Sequence, residues 1–317
     1  MPTERQLWTR EQLKTLREGG FSPTAVAAFL LASQRRANEL RRERPALARQ
    51  ARRWTRLGAI CWLALAMGGS GDARSRARQG LLWWAACALM LDWHLGMVET
   101  LDGCPRRLGP ADALTLARAW LVPLAWERPT PLTCAAAGLS DAVDGPLARR
   151  HGPTRAGRDF DWITDACFAG AALRGAARHR LLGRWALRTE TTWLGLGIAR
   201  ALYGYFIGLH EPDRSVGRPA RAFGPVRMAG LLFGSAGRRR EGSALLGGGA
   251  LASLALSGYE LTHRRANSAR TASAPRRRRA ATVRTRAIGP AGVCAPARLL
   301  PSLLHRPVND SKPRIKA

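Results

Sequence analysis

The feature that most constrains this chain is a series of apolar segments interrupted by arginine. They fall at roughly 57–69, 81–98, 113–126, 131–144, 159–177, 192–209, 226–236 and 243–261. Several are shorter than the ~20 residues that cross a bilayer unaided. Short segments rich in Ala and Gly nevertheless suit a tightly packed membrane bundle, because small residues let helix backbones approach closely. The pattern predicts an all-α, polytopic membrane helix bundle with six to eight crossings, of which 81–98 and 192–209 are the strongest spans. Residues 1–56 precede the first apolar segment and read as a soluble helical segment.

Charge refines this expectation. The formal net charge is +29, and of 51 basic residues only Lys14, Lys312 and Lys316 are lysine. Such a balance suits an anionic partner: nucleic acid, anionic lipid or a phosphorylated substrate. The apolar middle favours the last two. A basic N-terminal region belongs on the cytoplasmic side. With eight crossings, 102–112, 145–158, 210–225 and the C-terminal tail share that side, and they carry arginines as the rule requires. The loops 70–80, 178–188 and 237–241 are also arginine-rich and disagree with it. The expected localisation is the cell membrane, multi-pass, with the 145–158 loop facing the cytoplasm.

Local signals place the first helices. Thr9 and Gln12 have capping-box spacing, Gly19 and Gly20 break a helix, and Ser22–Pro23 supplies a cap and a first-turn proline for the next. The pair reads as a helical hairpin, with a helix-turn-helix as the alternative. Residues 57–112 read as an additional membrane hairpin and connector, 113–261 as the membrane core and 262–317 as a basic disordered tail. The cysteines form no CxxC pair, which argues against a zinc site or a disulfide framework. Asp92 and His94 sit in an apolar segment, where ionisable groups mark either function or an interface.

The chemistry is concentrated in Ser140–Asp165, SDAVDGPLARRHGPTRAGRDFDWITD. Asp141 and Asp144 are three residues apart and Asp161 and Asp165 four apart, so on helices each pair projects from one face. The pairs close two apolar helices around a short basic loop, and an antiparallel hairpin would bring all four together. Four such carboxylates need countercharge. Hard divalent cations, Mg²⁺ or Mn²⁺, match oxygen ligands beside a phosphate, and two of them would clamp a phosphoryl group. Gly145 and Gly157 permit close backbone approach, and the loop arginines suit a pyrophosphate.

This string resembles the signature of the CDP-alcohol phosphatidyltransferases, D-x-x-D-G-x-x-A-R followed by a spacer and G-x-x-x-D-x-x-x-D. Asp141, Asp144, Gly145, Ala148, Arg149, Gly157, Asp161 and Asp165 fall on its positions, and ALTLARAWLVPLA resembles the family's first core helix. The spacer from Arg150 to Ala156 is one residue shorter than the usual one. The resemblance covers about Ala113 to Tyr259 and implies a six-helix core, with two extra helices before it. It implies two divalent ions on the four aspartates and a cytidine diphosphate pocket lined by Gly145, Ala148, Arg149 and Gly157. Asp165 would be the base that takes the acceptor's proton. The implied donor is a CDP-activated lipid such as CDP-diacylglycerol, CMP is released, and the product enters phospholipid biosynthesis. The acceptor alcohol would be free or phosphorylated, and membrane lipids and a homodimer are further implied partners. Arg118, Arg200 and Arg227 lie in or beside apolar segments and read as snorkelling or structurally paired charges; the alternative is an acceptor-phosphate pocket lined by Arg200, Arg218, Arg221 or Arg227. Three other readings compete: an inactive membrane scaffold, a nucleic-acid-binding membrane protein and a transporter. No base-reading signature favours nucleic acid.

Overall fold

The structure is a computed structural model. It describes residues 3–68, 71–100, 102–207 and 222–273. Ten α-helices lie among the described residues: α1 (Glu4–Glu18), α2 (Pro23–Glu43), α3 (Pro45–Met67), α4 (Gly71–Trp93), α5 (Pro110–Glu127), α6 (Pro131–His151), α7 (Arg155–Arg178), α8 (Arg184–Leu202), α9 (Gly224–Ser235) and α10 (Arg239–Ser273). A 3₁₀ turn at Leu95–Met97 and a π turn at Tyr203–Ile207 complete the order. The all-α expectation agrees with this. The expected boundaries after 56 and 261 fall inside α3 and α10.

The membrane expectation does not agree. No described helix is long and apolar enough to cross a membrane. The helices have the length but not the continuity. Residues 49–56 put four arginines in the first half of α3, and Arg74, Arg76 and Arg78 occupy that of α4. The apolar remainder of α4, from Leu81 to Trp93, rises only ~20 Å against a hydrocarbon core of ~30 Å. In α5 an arginine sits at mid-helix, and α8 carries Arg188, Glu190 and Arg200. The polytopic membrane bundle, the transmembrane character and the multi-pass placement in the cell membrane are therefore corrected.

Helix starts follow local chemistry. The capping box of α1 lies at Thr3 and Gln6, ahead of the expected Thr9 and Gln12: Thr3 Oγ1 accepts from the Gln6 amide, and Gln6 Oε1 accepts from the Thr3 amide. Gly19 caps that helix and Gly20 turns the chain at φ +61. Ser22 caps α2 as expected. Cys104 is disulfide-bonded, against expectation, whereas Cys61, Cys87, Cys134 and Cys167 are free.

Helix α5 is the centre of the molecule. Its Leu116 and Ala119 belong to a core with Trp62, Trp84 and Leu91 of α3 and α4. Its Val122 and Ala125 belong to a second core with Phe168, Leu182 and Leu246 of the later elements. Burying each such large apolar side chain stabilises the fold by ~1.5–3 kcal/mol before entropy is counted. Pro123 interrupts α5 and cannot donate to the Ala119 carbonyl; that carbonyl accepts instead from Trp83 Nε1 at 2.8 Å. Trp84 and Trp120 likewise donate to the carbonyls of Thr55 and Gly58 on α3. These tryptophans are packing elements. Helix α7 packs closely on α5 where a Cβ at Gly175 would stand 2.4 Å from the Ala125 carbonyl oxygen.

The N-terminal helices are fastened to this frame by buried charge. Glu99 is 2 % exposed and accepts from Thr3 Oγ1 at 3.0 Å and Arg5 Nη1 at 3.1 Å. Arg155 Nε lies 3.6 Å from it, and the Glu99 carbonyl accepts from the Arg155 amide. Asp92 receives a bidentate guanidinium from Arg41, and the His94 ring stacks edge-on to Phe160. Both ionisable groups that stood out in the 81–98 segment therefore have structural partners.

Candidate metal and phosphate site

Two helices carry the acidic pairs. The segment read as a basic loop is mostly helical: α6 continues through Gly145 and Pro146 to His151, and only Gly152–Thr154 separates it from α7. Gly152 makes the reversal at φ +84. Thr154 then caps α7 by accepting from the Gly157 amide at 2.9 Å.

The four carboxylates meet, but not by direct packing of α6 on α7. Both helices pack on α5, which lies between them. From α5 the side chain of Arg118, 1 % exposed, reaches all four. Its Nη2 donates to Asp144 Oδ2 at 2.8 Å and to Asp161 Oδ1. Its Nε lies 2.9 Å from Asp165 Oδ1, and its Nη1 lies 3.6 Å from Asp141 Oδ1. Oxygens of Asp141, Asp161 and Asp165 all lie within 4.8 Å of one another.

Electrostatics follow from this crowding. Burial raises the carboxyls of Asp161 and Asp165, to about 7 and about 8; neighbouring carboxylates add to the rise, and Arg118 opposes it. Asp141 is raised for the same first reason. Burial pulls the Arg118 guanidinium down, but the surrounding carboxylates outweigh it and its pKa is raised. One guanidinium among four carboxylates leaves them under-compensated. The donor set is oxygen only, which fits Mg²⁺ or Mn²⁺ and not a soft metal.

A cleft adjoins the cluster. It is lined by Asp144 and Ala148 of α6, by Gly157, Arg158 and Asp161 of α7, by Arg106 and Arg107 of the connector, and by Asp112 and Thr115 of α5. A Cβ at Gly157 would stand 2.7 Å from Asp112 Oδ1 and 2.9 Å from Thr154 Oγ1, so the backbone is bare there by necessity. Of the expected cradle, Ala148 and Gly157 line this cleft. Gly145 lies on α6 under the Arg149 guanidinium, and Arg149 itself is exposed and outside the lining.

Arg118 was visible in the sequence as a charge inside an apolar segment, though nothing in its own helix named its partners. Asp112 and Arg106 lie outside the motif; the signal for Asp112 is its place three residues after Gly109, whose amide donates to Asp112 Oδ2 at 2.6 Å. Arg227 does not join the acidic cluster. It pairs with buried Glu190 at 3.8 Å and lies over Trp193. Arg200 is exposed on α8, and Arg218 and Arg221 lie outside the described residues. Asp159 accepts from the Tyr205 hydroxyl at 2.9 Å.

No protein-family model, no curated protein and no solved structure matches the chain.

Proposed function

We propose that the chain transfers a substituted phosphate group from a CDP-alcohol to the hydroxyl of an acceptor alcohol and releases CMP. The observation that carries this reading is the convergence of Asp141, Asp144, Asp161 and Asp165 beside a cleft walled by Gly157 and by arginines. The four aspartates would hold Mg²⁺ or Mn²⁺. When bound, such ions supply charge neutralisation for a pyrophosphate and for its leaving group. The rest is the work of the chain itself. Arg106, Arg107 and Arg158 supply donors suited to phosphate oxygens. The acceptor oxygen bonds to the phosphorus that bears the alcohol. The bond from that phosphorus to the CMP oxygen breaks, and the electron pair leaves with CMP. Asp165, which belongs to the acidic cluster but does not line the cleft, takes the hydroxyl proton.

A second reading has its own observation. One buried guanidinium, that of Arg118, reaches all four carboxylates, which is also how a purely structural ion cluster would be built. The test is CMP release by the purified full chain with labelled CDP-diacylglycerol in mixed micelles, a panel of acceptor alcohols, and Mg²⁺ or Mn²⁺. Expected is release that needs an acceptor, stops with chelator, and is lost in Asp161→Ala and Asp165→Asn. Release that is unchanged in those variants would refute the assignment of the aspartates, and none with any acceptor would favour the structural cluster.

A further inference from the structure

The guanidinium of Arg118 occupies the point toward which both acidic pairs aim. It is almost wholly buried, it extends from a third helix, and its Nε has no well-directed hydrogen bond despite lying 2.9 Å from Asp165. Among the described residues it is the one cation within ion-pair distance of the four carboxylates. Resting on the metal-dependent reading above, we propose that Arg118 is an internal stand-in for the divalent ions. It neutralises the cluster in the metal-free protein and competes with the ions for the same carboxylate oxygens.

The argument is geometric and electrostatic. A guanidinium offers five N–H donors and no acceptor; one of these donates to Ser140 Oγ at 3.4 Å, and each contact to an aspartate consumes a carboxylate lone pair. Mg²⁺ requires oxygens at ~2.0–2.1 Å in a near-octahedral arrangement. An ion among Asp141, Asp161 and Asp165 would share oxygens that Arg118 already contacts on Asp161 and Asp165. Two cations at that spacing repel one another, and the partial exposure of Asp141, Asp161 and Asp165 weakens that repulsion without removing it. Loading therefore moves the guanidinium away from Asp161 and Asp165. The contact to Asp144, the most buried of the four at 6 % exposure, is the one it can keep. Arg118 acts on the reaction through the carboxylates and is a positioning residue.

The experiment is a Mn²⁺ titration of the full chain after chelation, read by the loss of the free-ion EPR signal. Wild type is compared with Arg118→Met, Arg118→Lys and Asp161→Ala. Removing the competing charge should tighten Mn²⁺ binding roughly tenfold or more in Arg118→Met. Arg118→Lys keeps the charge and should stay near wild type, and Asp161→Ala should lose binding. Thermal melts provide the second measurement. Arg118→Met should melt lower than wild type in EDTA and gain more from Mn²⁺. If Arg118→Met folds only with Mn²⁺ present, the ion has replaced the guanidinium, as proposed. Equal or weaker Mn²⁺ binding in Arg118→Met would overturn the proposal, as would failure of that variant to fold with or without the ion. If neither wild type nor Arg118→Met binds Mn²⁺, the metal-dependent function falls as well, which separates that failure from failure of the stand-in role.

Discussion

Substituting Gly157 by Ala sets two effects of similar size against each other. Gly157 lies in the first turn of α7, where Ala gains up to ~1 kcal/mol of helix propensity over Gly. The added Cβ would stand 2.7 Å from Asp112 Oδ1 and 2.9 Å from Thr154 Oγ1. Both are ends of side chains and can move, but each is engaged: Thr154 caps α7 and Asp112 accepts the Gly109 amide at the start of α5. Losing one such cap costs about 1 kcal/mol. Two caps lost against one propensity gained leaves a net destabilisation of about 1 kcal/mol, or a Tm lower by about 2–4 °C. In a Thr154→Ala background one of the two caps is already gone, and the same substitution should be close to neutral. The cycle should then show a coupling of about 1 kcal/mol. Thermal or denaturant unfolding of the four proteins measures it, and CMP release should show a higher KM for the donor because the cleft wall has gained a methyl group. A Gly157→Ala protein more stable than wild type, or single effects that simply add, would refute the claim that close packing dictates this glycine.

Three further outcomes are expected. Glu99→Ala removes the buried carboxylate that faces the guanidinium groups of Arg5 and Arg155, and should cost about 2–3 kcal/mol. It should also speed tryptic cleavage within α1, and an unchanged cleavage rate would count against Glu99 as the anchor of that helix. Asp92→Ala removes the bidentate partner of Arg41 between α2 and α4, a partly buried pair, and should lower stability by about 1 kcal/mol in a denaturant titration. The metal-free protein should lose stability as pH rises. Burial lifts Asp161 to about 7 and Asp165 to about 8, well above their unfolded values, so their favourable contribution is complete below about pH 4 and disappears as pH climbs through 7 and 8. Their side chains are 41 % and 44 % exposed, and solvent screening holds the combined effect to about 1–2 kcal/mol. Melts in EDTA from pH 5 to 9, set against Asp165→Asn, would show a smaller decline in the variant; parallel curves would contradict the assignment.

Much of the site was legible because spacing is local. The three- and four-residue separations put each acidic pair on one helix face, and the short link of Gly152–Thr154 brings the faces together. Helix starts were legible where a capping side chain sits beside a proline, as at Ser22–Pro23. They were misplaced where two candidate caps lie within one helix, as with Thr3 and Thr9, because only the fold decides which amides are left without partners. Gly145–Pro146 reads as a stop, yet α6 runs through it. Pro146 has no N–H to give the Ala142 carbonyl, but Ala142 is exposed, where an unmet carbonyl costs less than in the core. Asp112 and Arg106 could not be found from the motif, since they reach the cleft only through the placement of α5 and its connector.

The absence of a membrane-crossing helix among the described residues and the central place of Arg118 in the site have a common root, an arginine inside an apolar helix. An arginine in the middle of an apolar helix shortens the run available for crossing a bilayer, and it also carries a charge that cannot be buried alone. In α5 that charge is Arg118, and burying it unpaired would cost several kcal/mol. The four aspartates of α6 and α7 face the matching difficulty, an excess of negative charge held partly out of water. Neither burden is tolerable in isolation, and each removes most of the other when α5 stands between the two acidic helices. The arginine and the acidic pairs are therefore one feature distributed over three helices. This is also why α6 and α7 are held apart by α5 instead of packing as a closed hairpin, and the gap so created is where the cleft opens.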